Sequence, residues 1–161
     1  MVRENNFAFI DAQNIYRGVR RLGWKIDWKR FRNYLHDRYF ITNAYVFIGY
    51  IPHNAVLYAS LQRAGYILVF KQVLYGSRGE AKGNVDSDLV LRAMIEYGSY
   101  SKAFVISGDG DYYSLVQYLY DTAKLGCVIS PNRKECSQLL KRSAKEKIVF
   151  LDDLKQKIEY K

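Results

Sequence analysis

A three-layer α/β/α fold around a mostly parallel central sheet is what this sequence predicts. Three observations carry it. Short, wholly apolar runs such as 7–10, 66–70 and 103–106 alternate with stretches of helical spacing, glycines sit where the helices should stop, and the only prolines, Pro52 and Pro131, fall where a strand should give way to a helix or turn. The 161 residues suit one domain over 1–161, with no repeat, low-complexity tract or linker to divide them. An apolar fraction of 49% with 16% aromatics excludes intrinsic disorder. No apolar run approaches the ~20 residues that cross a bilayer, and the opening Met1-Val2-Arg3-Glu4-Asn5-Asn6 has no apolar signal core, so the expectation is a cytoplasmic protein without membrane contact.

Taken in order, residues 7–10 form the first strand and end at Asp11. Asp27 caps a helix over 27–39, whose Trp28, Phe31, Leu35 and Tyr39 recur at helical spacing. Residues 44–48 are β-branched and aromatic, 54–64 read as a helix stopped by Gly65, and 66–70 as the next buried strand. Tyr75-Gly76-Ser77-Arg78-Gly79-Glu80-Ala81-Lys82-Gly83 reads as a mobile surface loop rather than an element, and leads into a helix near 85–97. The strand 103–106 is followed by the turn Ser107-Gly108-Asp109-Gly110 and a helix over about 111–124 that Gly126 ends. A strand at 127–129, a helix near 135–144 and a strand at 148–150 complete the alternation.

Sites in such sheets form outside the carboxyl ends of the strands. Asp11 follows the first strand, Asp109 and Asp111 follow the 103–106 strand, and Asp86 starts the helix after the glycine-rich segment, so four carboxylates converge on one edge. A cluster of like charge calls for a hard cation, and Mg²⁺ prefers carboxylates with water and phosphate oxygens. For Asp109 and Asp111 taken singly, turn and helix-cap roles compete with this reading. Asp88 and Arg92, four residues apart, read as a surface ion pair, and Asn14 as a local hydrogen-bonding residue or one that orients Asp11 or substrate. Cys127 and Cys136 lack metal-ligand spacing and read as small apolar fillers. Twenty-five Lys and Arg against 16 Asp and Glu give +9, which points to an anionic partner, nucleic acid first.

Phe9-Ile10-Asp11 followed by Asn14, then Lys82-Gly83-Asn84-Val85-Asp86, then Val105-Ile106-Ser107-Gly108-Asp109-Gly110-Asp111-Tyr112 resemble the NYN domain, the PIN-like branch that includes LabA-type proteins. The resemblance implies a PIN-like Rossmannoid fold and a metal-dependent endoribonuclease that hydrolyses RNA phosphodiester bonds with Mg²⁺ or Mn²⁺. Asp11, Asp86, Asp109 and Asp111 match its acidic catalytic and metal positions, and Asn14 the accompanying polar one. Arg17, Lys82, Ser107 and Gly108 lie beside these carboxylates and join Asn14 as expected substrate contacts. Arg92 and Lys145 stand where relatives often carry Asp, which keeps an alternative open: a catalytically weak or inactive RNA-binding or regulatory adaptor on the same fold.

Between Trp28 and Gly79 the only acid is Asp37, against Lys29, Arg30, Arg32, Arg38, Arg63, Lys71 and Arg78. Arg30, Arg32 and Arg38 read as a solvated helix face. Of 15 tyrosines most belong to the core, with Tyr50, Tyr75 and Tyr112 as candidates for stacking on bases. The aromatic surplus makes a homodimer a further expectation. A receiver domain, a haloacid dehalogenase phosphatase and a dinucleotide-binding domain each lack their marks here, since Asp11-Ala12-Gln13-Asn14 follows the first strand.

Overall fold

The computed structural model describes residues 4–72 and 85–161, and between them the backbone of two short strands at 74–75 and 81–82. Six parallel strands form the central sheet: β1 (Asn6–Asp11), β2 (Ile41–Tyr50), β3 (Tyr66–Gln72), β6 (Ala103–Ile106), β7 (Leu125–Ser130) and β8 (Ile148–Phe150). Their order is β3-β2-β1-β6-β7-β8, so the chain reverses its direction of travel between β1 and β6. That reversal opens a crevice at the carboxyl ends of these two strands.

Period-two alternation divides the sheet's side chains between two cores. Ala8 and Ile10 face α1 (Ala12–Arg21), α2 (Trp28–Tyr39), α3 (Ala55–Arg63) and the final α7 (Lys155–Ile158). Phe7 and Phe9 face the other way, toward α4 (Asp86–Ile95), α5 (Tyr113–Asp121) and α6 (Gln138–Ala144). Apolar strands buried on both faces are what a fully parallel sheet requires. Among the described residues, no helix is long and apolar enough to cross a membrane.

The predicted strands at 103–106 and 148–150 match β6 and β8 to the residue, and Asp27 caps α2 by accepting the Arg30 N–H at 3.0 Å. Four details differ. Helix α1 carries no element in the sequence reading, because Arg17, Arg20 and Arg21 mask the buried stripe of Ala12, Ile15 and Val19, and Gly18 sits in its middle. Residues 75 and 82 belong to a two-stranded antiparallel ladder, β4 (Leu74–Tyr75) with β5 (Ala81–Lys82), where a loop was expected; residues 76–80 and 83 lie outside the description. Helix α5 stops at Thr122 with Ala123 left-handed at φ 60°, whereas Gly126 lies inside β7, where a Cβ would drive into the Phe104 ring. The Asp88–Arg92 pair does not form: Lys71 meets Asp88 at 3.7 Å and Arg92 meets Glu96 at 3.6 Å.

Candidate metal centre

Asp11 ends β1 and caps α1, and both roles fit one carboxylate. Its Oδ1 accepts the Asn14 N–H at 3.2 Å, which leaves Oδ2 turned to the crevice. Asp109 repeats the device on the neighbouring strand: its Oδ1 accepts the Asp111 N–H at 2.9 Å and starts a single 3-10 turn, Gly110–Tyr112. Capping and site membership are therefore compatible, because a carboxylate has two oxygens. Asp86 opens α4, where the helix dipole favours an anion. One oxygen from each of Asp11, Asp86 and Asp109 lies within 4.8 Å of the others.

Asp111, predicted as a fourth member, sits at the exposed rim of the same cavity, outside the three carboxylates that converge. Tyr112, expected to stack on a base, is instead fully buried, and its hydroxyl lies 3.0 Å from Asp11 Oδ2 and 2.8 Å from Asp86 Oδ1. A phenol has one proton and serves one carboxylate at a time. The other contact sets oxygen against oxygen unless a proton or a cation stands nearby. Burial, with the nearby Asp109 charge, raises the Asp11 pKa against the hydrogen bonds from Asn14, Tyr112 and Gln13. Burial likewise lifts Asp86 to about 6; Asp109, Asp11 and Asp111 add to the rise and the Tyr112 hydroxyl opposes it. Burial and the two carboxylates push the Tyr112 phenol well up, so it stays protonated. Three hard oxygen donors, mutually repelling and short of protons to share, suit a divalent oxygen-seeking ion.

A model of the NYN domain matches residues 7–152. The chain belongs to the NYN domain family. Low amplitude and bright protein LabA of Synechococcus elongatus is 25% identical over 161 residues, covering 94% of this chain and 86% of the relative. The fold is shared with a crystal structure of a protein of unknown function from Vibrio parahaemolyticus, at a TM-score of 0.79 and 22% identity, over 98% of this chain and 97% of the other.

In this NYN domain the carboxylates floor a cavity of about 390 Å³. Asn14 lines it, and its Oδ1 accepts the Gly108 N–H at 2.8 Å, which ties α1 to the β6 turn. Gly108 is also at the wall, where a Cβ would lie 2.7 Å from Ser130 Oγ. Ser107 is buried outside the lining; its hydroxyl accepts the Asp109 N–H at 3.1 Å and shapes the turn rather than facing a ligand. Arg17 reaches the cavity, and the Lys82 side chain lies outside the described residues.

Neither departure from the NYN acidic pattern lines the cavity. Arg92 extends over the Tyr45 ring, and Lys145 lies over the Tyr120 ring, just before β8 begins at the opposite edge of the sheet. The end of β7 and the segment after it are the part that sequence reasoning missed: Ser130, Pro131, Asn132, Glu135 and Cys136 form the far wall. Pro131, already placed at a strand end, was the available signal. It packs against Gly18, whose Cβ would come within 2.5 Å of the Pro131 ring. Cys136 is a buried free thiol whose pKa burial raises, in keeping with a filler.

Proposed function

We propose that this NYN domain is a metal-dependent ribonuclease that hydrolyses RNA phosphodiester bonds within a strand. The convergence of Asp11, Asp86 and Asp109 from three elements at the crevice between β1 and β6 carries the reading. These three hold Mg²⁺ or Mn²⁺, with Asp111 at the rim to orient water or complete the set. Such an ion supplies a nucleophile at neutral pH and neutralises charge on the phosphoryl oxygens. Tyr112 fixes the spacing of Asp11 and Asp86, and Asn14 fixes the turn that presents Asp109. Arg17 and Lys82 contact the RNA backbone, consistent with a net charge of +9. The free, buried Cys127 and Cys136 suit the reducing cytoplasm.

The test is titration of Mg²⁺ and Mn²⁺ into wild type and Asp109→Asn with a fluorescent mixed-sequence RNA, reading binding and cleavage together. Cleavage that needs the ion and vanishes in the variant is expected. Salt-sensitive binding without cleavage under either ion would replace this reading by an RNA-binding adaptor.

A further inference from the structure

We infer that the ridge of α1 leaving the carboxylate centre is a phosphate track for the nucleotides beside the cleaved bond, with Glu135 occupying its outer position until RNA displaces it. This rests on the ribonuclease reading and adds to it where the flanking strand runs.

The cavity is two-signed. Carboxylates hold one end, and Asn14, Arg17, Gly18 and Arg21 descend its side at helical spacing i, i+3, i+4 and i+7, one face of α1. Arg17 and Arg21 are one turn apart, about 6 Å along the axis, a step a single strand spans between neighbouring phosphates. Arg17 forms no ion pair with any described residue. Arg21 Nη1 meets Glu135 Oε2 at 3.1 Å, with the two side chains 63% and 44% exposed, a weak and exchangeable pair. A carboxylate and a phosphodiester offer a guanidinium the same two-oxygen face. Glu135 is held in place for this: its N–H donates to the buried Asn132 Oδ1 at 3.3 Å, and the Gly18 contact with Pro131 sets the loop against the helix. Arg20, between the two, turns away from the cavity to lie over the Tyr16 ring.

A dodecamer RNA and a dinucleotide with one phosphodiester are titrated in Ca²⁺, across a salt series, against Arg17→Ala, Arg21→Ala, Glu135→Gln and the charge-matched Arg20→Ala; cleavage is then read in Mn²⁺. Arg17→Ala and Arg21→Ala are expected to weaken dodecamer binding about fivefold and to flatten the log K against log salt slope by about 0.7 each. Arg21→Ala leaves the dinucleotide unaffected and raises KM at constant kcat. Glu135→Gln tightens the dodecamer, and Arg20→Ala changes neither. If Arg17→Ala and Arg21→Ala behave as Arg20→Ala, or Glu135→Gln weakens binding, the track is wrong while ion-dependent, Asp109-dependent cleavage still stands. Absence of both binding and cleavage by the wild type removes the track and the ribonuclease reading together.

Discussion

The two edges of the sheet use charge in opposite ways. At the amino edge two cations are spent on backbone: Arg32 donates to the carbonyls of Gly65, Ile41 and Thr42 at 3.1, 3.2 and 3.2 Å, and Lys124 donates to those of Tyr97 and Tyr100 at 2.9 and 2.5 Å. At the carboxyl edge, Asp11, Asp86 and Asp109 face one another, and burial, with their mutual repulsion added to it, raises the pKa of Asp11 and of Asp86. The first arrangement stabilises the fold, and the second opposes it. Functional charge is thus recognised by a mismatch with its surroundings rather than by its sign or amount. Part of the +9 is consumed in holding strand starts, so the net charge overstates what is left at the surface.

Asp11→Asn attacks the comparison hardest. It should cut ion-dependent cleavage roughly 100-fold or more, beyond what loss of a supporting partner costs, while leaving the metal-free protein at least as stable in thermal unfolding. Arg32→Met should do the reverse, costing about 2–3 kcal/mol in a urea titration for carbonyls bonded to a half-buried cation, with kcat retained. Gly18→Ala tests the wall between the edges. A helical alanine gains up to about 1 kcal/mol over glycine, but its Cβ meets the rigid Pro131 ring at 2.5 Å. Such overpacking costs about 1–3 kcal/mol, so net destabilisation with a raised KM is expected.

The smallest effect is a pH slope. Asp86 ionises at about 6 in the folded protein against 3.8 in the free side chain. The folded state therefore holds its proton longer, and this contribution to stability is present below pH 4 and is lost as pH rises through about 6. Unfolding midpoints in EDTA should fall across that window, and Asp86→Asn should flatten the fall. Added Mn²⁺ should restore stability at pH 7 by binding the folded state.

Strands and cap positions were legible because each is specified locally: apolar runs give β6 and β8, and Asp27 starts α2. The aspartates of the site were legible through the rule that strand carboxyl ends meet at a crevice. What stayed hidden depends on contacts between distant segments. Arg32, read as a solvated helix residue, turns inward because three carbonyls of the β2 and β3 starts lie beside it. Asp88 and Arg92 have ideal helical spacing, yet Lys71 and Glu96 claim them. Tyr112 follows the motif in sequence like an exposed loop residue, but the 3-10 turn swings it under the carboxylates. The far wall needed the Gly18 contact with Pro131, which no local pattern announces.

The reversal between β1 and β6 also sets when the centre comes into being. β1 precedes the other five strands of the sheet in the chain, yet its second neighbour is anchored 96 positions later, where Lys102 N–H meets Asn6 Oδ1. Closing so long a segment is slow relative to local pairing. A nascent chain can dock β1 with β2 and β3 early, while Asp109 is still unmade. The three-carboxylate cluster therefore stays incomplete until the chain has been made through Asp109 and β6 has docked beside β1.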